Sequence, residues 1–553
     1  MSLKPSLCQE VPKETKRITK SAFPKGNKYI NIRDSIGSIF KDKDFHDLFS
    51  QCGQPAISPW RLALVTILQF IEGLSDRQAA DATRARLDWK YLLALDLTDS
   101  GFDYSILSEF RKRLLASDAE NRLLLILLDK FKQIGILQAR GQQRTDSTHV
   151  LSSVRMLNRL ELIGETMRAA LNEIATIEPK WIQEVAPEHW YEKYKHRVEN
   201  YRLPKGAQKK KEYAESVGSD ALLLFDLINS YEGHTYILEL PKVKALKKTL
   251  DRHFVCNLET KEIFLKTNKE VSQSEDKIES PYDTEARFRT KRDKNWAGYM
   301  VHLTETCDEN SNINVITHVH TTAADVHDIK SIKTIQHDLA TMNIPPKEHI
   351  VDTAYISLEQ LVKSKKDYDI DLIGPPKETS NLRSKFSGGY VLDSFSIDWK
   401  NKVVICPQGK KTSSWNTTSK SRPNSITAVF SVKDCRICKA RDLCIGSKKS
   451  NRNSLSFPVQ EYYEARNKLL KRLKTDDGKK LYDKRSGIEG TISQGVRTTN
   501  LRKSRYSGIR KTHLQEIAGA AAMNICRLGA WLENLPLAKT RKSSFYRLKR
   551  VAA

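Results

Sequence analysis

Apolar positions in the first quarter of the chain recur at helical spacing. Residues 34–135 divide into a run of short helices. Ser58-Pro59 is a start signal for a helix over Trp60–Glu72, and Ser75 is a good N-cap for one over Ser75–Leu87. Trp89–Leu95 and Ser105–Leu115 follow. The pattern changes at 140–152, where β-branched residues alternate with polar ones, so a strand is predicted there with Asp146 in its middle. Helical spacing returns over 154–250, through Leu157, Leu160, Ile163, Met167, Leu171 and Ile174. Residues 281–375 alternate between the two periods. Strands are predicted at Tyr299–Glu305, Asn314–His320, His349–Asp352 and Ile370–Ile373, and helices at Ile329–Leu339 and Leu358–Lys365. This is an α/β core, with Asp352 at a strand end, where open α/β sheets tend to place catalytic groups. Residues 376–456 are rich in Ser, Lys and Gly, with short strand signals at Tyr390–Trp399 and Val403–Cys406. Residues 457–535 return to helix, with Leu514, Ile517, Ala521, Ile525 and Leu528 on one face.

Within that last region the spacing places Tyr482, Arg485, Glu489 and Ile492 on one face of a single helix. Leu481 and Ile488 lie along the same side, so Glu489 is expected at the edge of a buried stripe, in want of a cation or proton. Gly487, Gly490 and Gly495 weaken the helix, which must then depend on packing, metal or DNA to settle.

Charge changes the picture. Across 553 residues, 93 Lys and Arg oppose 67 Asp and Glu, a formal net charge of +26. Such a field favours nucleic acid or an anionic membrane surface. The membrane reading is the weaker one: the longest apolar run, Leu62–Ile71, is interrupted by Thr66 and Gln69, flanked by Arg61 and Glu72, and too short to span. The first residues lack the apolar core of a signal peptide, so the chain is expected in the cytoplasm with its nine cysteines reduced. Residues 1–33 are expected to form a flexible basic arm. Arg111, Lys112 and Arg113 give the N-terminal helices an Arg-rich face of helix-turn-helix character, or else a solvated bundle surface.

Two sets of residues carry candidate chemistry. Asp146 and Asp352 on neighbouring strands, with Glu489 on a helix, offer hard oxygen ligands for two divalent cations such as Mg²⁺. A metal pair of that kind stabilises both the attacking and the leaving oxygen of a phosphoryl displacement. Cys406, Cys435, Cys438 and Cys444 approach a four-thiolate pattern for structural Zn²⁺. His318 and His320, two apart on a strand, are read as structural, and Asp283 with Arg287 as a buried ion pair.

The string Tyr482-x2-Arg485-x3-Glu489 resembles the Tyr–Arg–Glu signature of DDE-type transposases of bacterial insertion sequences. RTDSTHV and IVDTAYIS, around Asp146 and Asp352, are similar to that family's two aspartate blocks. DTEARF, WAGYMVH, AADVHD and SRYSGIRKTHLQEIAGAAAMNICRL agree in order, over roughly residues 35–530. The resemblance implies an RNase H-like core, two Mg²⁺ or Mn²⁺ held by Asp146, Asp352 and Glu489, and cleavage and joining of DNA at an element's ends. Tyr482 and Arg485 would contact phosphate or steady the helix. Val496 stands where the signature usually has Lys, with Arg497 beside it, although one residue along a helix turns by about 100°. Ala354 stands where Gly often precedes the Tyr of the second block. Arg497, Arg502, Lys503, Arg505, Arg510 and Lys511 are the expected DNA contacts.

The resulting plan is a helical N-terminal domain over 34–138 and a catalytic core over 139–375, with a helical insert at about 154–250. A cysteine-bearing insertion at 376–456, the C-terminal helical part of the core at 457–535 and a basic tail at 536–553 complete it. The expected partners are DNA, at terminal inverted repeats and target, and a second copy of the chain. The alternatives are a Mg²⁺-dependent nuclease without strand transfer, or a non-catalytic domesticated DNA-binding protein.

Overall fold

A computed structural model describes the chain except for residues 1, 4, 6–8, 232, 258–261, 272–276, 292–293, 310, 378–388, 418–423, 446–449, 537–542 and 548–553. Most of the expected C-terminal tail lies outside the described residues.

The centre is a mixed six-stranded sheet. Its strands are β1 (Gln142–Leu151), β2 (Arg287–Lys291), β3 (Lys294–Thr306), β4 (Ile316–Ala323), β5 (Glu348–Ile350) and β6 (Asp371–Ile373). β3 lies antiparallel between β1 and β4, and its N-terminal end also forms a hairpin with β2. β5 and β6 extend the other side of β1 in parallel. β3 is buried from Trp296 onward, with an apolar run over Trp296–Val301 followed by the buried polar side chains of His302, Thr304, Glu305 and Thr306. The helices Asp328–Thr341 and Leu358–Tyr368 follow β4 and β5.

The helix Ile509–Leu532 joins the sheet to the N-terminal helices. It packs on β4 and on Pro59–Glu72, Lys28–Ile36 and Arg122–Gln133. Leu514, Ile517, Ala521, Ile525 and Leu528, predicted on one face, are all buried. The small residues of its middle turns let neighbours approach from several sides. One hydrophobic core therefore runs from Phe45 and Trp60 through Leu303 to Ile488.

The first 33 residues are not a flexible arm over their described part. Lys13–Ala22 and Lys28–Ile36 are helices. Thr15 and Thr19 are fully buried, their hydroxyls donating to the carbonyls of Leu95 (2.8 Å) and Leu87 (3.4 Å). Polar composition concealed this, because two threonines anchor the helix instead of an apolar stripe.

The insert forms its own core, in which Arg159–Ile177, Ala207–Ser230 and Pro241–His253 enclose Met167, Trp181, Trp190 and Leu224. The cysteine-bearing segment is a second satellite. The antiparallel sheet of Thr412–Thr417, Ser425–Phe430 and Ser454–Pro458 packs Phe457 against Trp399 and Trp415 and Phe430 against Phe395.

Candidate active site

Parallel pairing of β1 with β5 matches Gln142 to Glu348, Gln143 to His349 and Arg144 to Ile350. Asp146 and Asp352 each lie two residues further on in the same direction. The two predicted aspartates thus emerge side by side beyond the paired ends. Asp146 is still within its strand, opposite Leu303. Asp352 has left β5 and caps the turn Thr353–Tyr355, its Oδ1 accepting from the Ala354 amide at 2.9 Å.

Glu489 arrives on a helix that differs from the expected one. Asp476–Asp483 is helical, Lys484–Ser486 is a 3-10 turn, and Gly487–Thr498 resumes the α-helix. The tighter turn breaks the 3.6-residue phase assumed between Tyr482 and Glu489. As a result Glu489 is not buried: its side chain is 68% exposed. The Asp146 side chain, by contrast, is only 14% exposed. Arg485 links the two acids, Nη2 donating to Asp146 Oδ2 at 2.6 Å and Nη1 to Glu489 Oε1 at 3.4 Å. Burial pushes the Asp146 carboxyl up; the Arg485 charge and the Ser147 amide oppose this, and the neighbouring Asp352 adds to it. Tyr482 is half-buried beside Leu481, and its phenol is pushed up by burial while feeling Arg485, Asp352 and Asp146.

Residues that the periodicity did not single out hold the Glu489 helix in place. Glu305 on β3 is fully buried; its Oε1 accepts from Arg144 Nε (2.9 Å) and Nη2 (2.7 Å). Its Oε2 accepts from Thr491 Oγ1 (2.6 Å) and Arg527 Nη1 (2.9 Å). Arg144 Nη1 also donates to the Lys484 carbonyl. The network therefore ties β1, β3, the 3-10 turn and two helices together. It also accounts for Gly487, where a Cβ would lie 2.0 Å from Arg144 Nη1. Arg144 stands two residues before Asp146 in RTDSTHV, the only sequence hint of it.

A cleft of about 400 Å³ opens between β1 and this helix, lined by Asp146, Ser147, Thr148, Glu489, Ile492, Ser493, Val496, Arg497 and Arg502. Arg502 donates from Nε to Thr148 Oγ1 at 2.8 Å. Val496 and Arg497 both reach its wall, although they are neighbours in sequence. Lys503 and Lys511 are exposed. Arg505 and Arg510 point elsewhere: Arg505 donates to the Leu74 carbonyl (3.0 Å) and covers the Phe70 ring. Arg510 pairs with Asp118 and Glu120. In the N-terminal helices Arg111 pairs with Asp76 (2.5 Å) and Arg113 donates to the Leu48 carbonyl, so neither forms a free basic face.

Other expected groups resolve structurally. His318 Nε2 lies 3.0 Å from Asp338. Asp283 does not pair with Arg287: it accepts from the Tyr299 hydroxyl at 2.6 Å, while Arg287 donates to the Thr284 and Ala286 carbonyls. Cys406, Cys435, Cys438 and Cys444 line one small cavity with Tyr390, Phe430 and Asn453. The Cys406 thiol accepts from the Lys410 amide (3.3 Å) and the Cys444 thiol from Asn453 Nδ2 (2.9 Å). Among the described residues, however, no three or more His, Cys, Asp or Glu are grouped as a ready metal site, at these thiols or at the three acids. At the acids, Arg485 stands between Asp146 and Glu489.

Two family models match the chain. One, described as transposase DDE domain, covers residues 405–529 and so includes Glu489 but neither aspartate. The other, described as transposase domain (DUF772), covers residues 17–113, the N-terminal helices. No curated protein matched. No helix among the described residues is long and apolar enough to cross a membrane. Together the two matches support a transposase of the DDE type.

Proposed function

We propose that the chain cleaves the ends of an insertion sequence and joins them to target DNA by metal-dependent phosphoryl transfer, with Asp146, Asp352 and Glu489 as the metal-holding acids. One observation carries this reading. The two aspartates leave adjacent parallel strands in step, and the glutamate faces Asp146 across a shared arginine. The strand arrangement, with β3 and β4 antiparallel on one side of β1 and β5 and β6 parallel on the other, supports an RNase H-like core.

The donors are all carboxylate oxygens, which suits Mg²⁺ or Mn²⁺. Two such ions, when bound, would supply Lewis-acid charge to the attacked phosphodiester and to its leaving oxygen. The protein's own part is positional. β1 and β5 hold the aspartates in fixed register. The Glu305 network sets the helix that brings Glu489. Arg485 balances the acids' charge while no cation is present, and on release it would face a phosphate, alongside Arg497 and Arg502 in the cleft. Water is the first nucleophile and the 3′-OH it liberates is the second. Two element ends must meet for joining, so a homodimer is expected.

The test is a supercoiled plasmid carrying the gene with its flanking DNA, incubated with protein and Mg²⁺. Wild type should release 3′-OH ends at the element boundaries and join them to a second DNA. Asp146→Asn, Asp352→Asn or Glu489→Gln should each lower cleavage on the order of 10³-fold or more, with DNA binding retained. Undiminished cleavage by the triple variant would refute the site, and cleavage without joining would leave a nuclease.

The shared cavity of the four cysteines supports structural Zn²⁺ as part of the same proposal. Metal analysis of purified protein should give about one zinc per chain. Cys435→Ser with Cys438→Ser should lose it, and a folded, zinc-free wild type would end the idea.

A further inference from the structure

Ten acidic side chains are buried among the described residues: Asp42, Asp88, Glu120, Glu161, Glu165, Asp220, Asp283, Glu305, Asp328 and Glu516. Nine of them accept hydrogen bonds or pair with a cation, as Glu305 does with two arginines and Asp220 with Lys193. Asp328 is the exception. It is 3% exposed, and its Oδ1 is buried with no hydrogen-bond partner. No Lys, Arg or His among the described residues lies within ion-pair distance of it. A buried carboxylate in that state costs stability, and natural structures rarely keep one without a use.

Its position suggests the use. Asp328 opens the helix Asp328–Thr341, which packs against the turn that Asp352 caps. That turn ends in Tyr355, whose fully buried hydroxyl meets His302 Nδ1 at 2.6 Å. The other nitrogen of His302 is held by Ser331 Oγ at 3.2 Å, on the Asp328 helix itself. The Tyr355 hydroxyl lies within reach of the charges of Asp328, Asp146 and Asp352 together, and of the Ser147 hydroxyl. Among the described residues, the cations that act on Asp328 are Lys291, Arg289 and the adjacent His327. Arg289 donates to the carbonyls of Ala324 and Val326, and Lys291 is exposed at the end of β2. Burial pushes the Asp328 carboxyl up and Asp352 adds to this, while the charges of Lys291, Arg289 and His327 oppose it from beyond ion-pair distance.

We propose that Asp328 is a positioning residue of the active site, a fourth carboxylate with no ion-pair partner among the described residues, whose charge, acting beside Asp352 and across the Tyr355 hydroxyl, strengthens cation binding by Asp146 and Asp352. This rests on reading those two aspartates as cation-binding. The bland alternative is a helix-start acid stabilised by the helix dipole, which would act on folding alone.

Calorimetric titration of Mn²⁺ into the full chain without DNA, together with melting temperatures in chelator, separates the two. Asp328→Asn should weaken Mn²⁺ binding about ten-fold, the size of effect typical of groups behind a metal's direct ligands. Its melting temperature in chelator should equal or exceed that of wild type, because an uncompensated charge has been removed. Asp328→Ser should weaken Mn²⁺ binding in the same way. Unchanged Mn²⁺ affinity in a folded Asp328→Asn protein, or a lowered melting temperature with affinity intact, would overturn the proposal. If Asp146→Asn with Asp352→Asn also left Mn²⁺ binding unchanged, or wild type bound none, the cation-site reading itself would fall with it.

Discussion

Arg485 shows how little a residue's identity says about its state. Glu489 is expected from its spacing as an inward metal ligand, and in the structure it is paired with the arginine four residues earlier, at 3.4 Å. The same guanidinium reaches Asp146 only because folding brings together positions 339 residues apart. Glu516 is a second case, invisible to pattern analysis because it lies within an otherwise apolar face. It is 1% exposed, its only side-chain hydrogen bond among the described residues comes from Gln515, and burial holds its carboxyl well above its usual value of 4.5. A raised folded value means that this group weighs least on folding below the unfolded value, and that stability falls as pH rises. Above that point the unfolded chain releases a proton that the folded chain keeps, at about 1.4 kcal/mol per pH unit. Glu516→Gln removes this term. The variant should match wild type near pH 5 in urea unfolding and exceed it clearly at pH 8; a difference that does not change with pH would contradict the argument.

At the scale of elements, strand and helix types were largely legible. β3, β4, β5 and β6 lie where alternation and β-branching put them, because side-chain period is a local property. What periodicity missed was the break at Lys484–Ser486, since a short 3-10 turn leaves the hydrophobic spacing nearly intact. Glycine had flagged the weakness of this region, and the structure supplies the support. Gly487 makes room for Arg144, and Gly495 sits against Leu501 and Met523. The Glu305 network should therefore decide where the Glu489 helix rests. Replacing Arg527 by Met leaves Glu305 with half its cationic partners, at a cost of about 3 kcal/mol. Thr491→Val should loosen the same joint. Hydrogen exchange should report faster opening over 487–498 in both variants, with cleavage reduced even though no proposed metal-holding acid has changed. Unaltered exchange would show that the apolar contacts of Ile488 and Ile492 suffice.

For the whole molecule, a charge of +26 favours contact with a polyanion. Binding to duplex DNA should weaken steeply with salt, by on the order of 10³-fold between 50 and 200 mM if at least six phosphates are engaged. Arg497→Ala and Arg502→Ala should reduce that slope. Arg505→Ala and Arg510→Ala should mainly lower stability, because those side chains are spent on Leu74, Asp118 and Glu120. A reduced salt slope in the second pair with stability unchanged would reverse this assignment. By itself the sequence determined the order of most helices and strands and singled out Asp146, Asp352 and Glu489 as candidate acids. Both are written in short windows, where spacing alone carries the information. Tertiary structure alone decided which charges are compensated: that Asp146 and Asp352 stand in step, that Glu489 faces solvent, that Arg144 and Arg527 share Glu305, and that Asp328 Oδ1 has no hydrogen-bond partner among the described residues. These depend on pairings across hundreds of residues, where burial and distance set the energy of a charge and no local pattern records either.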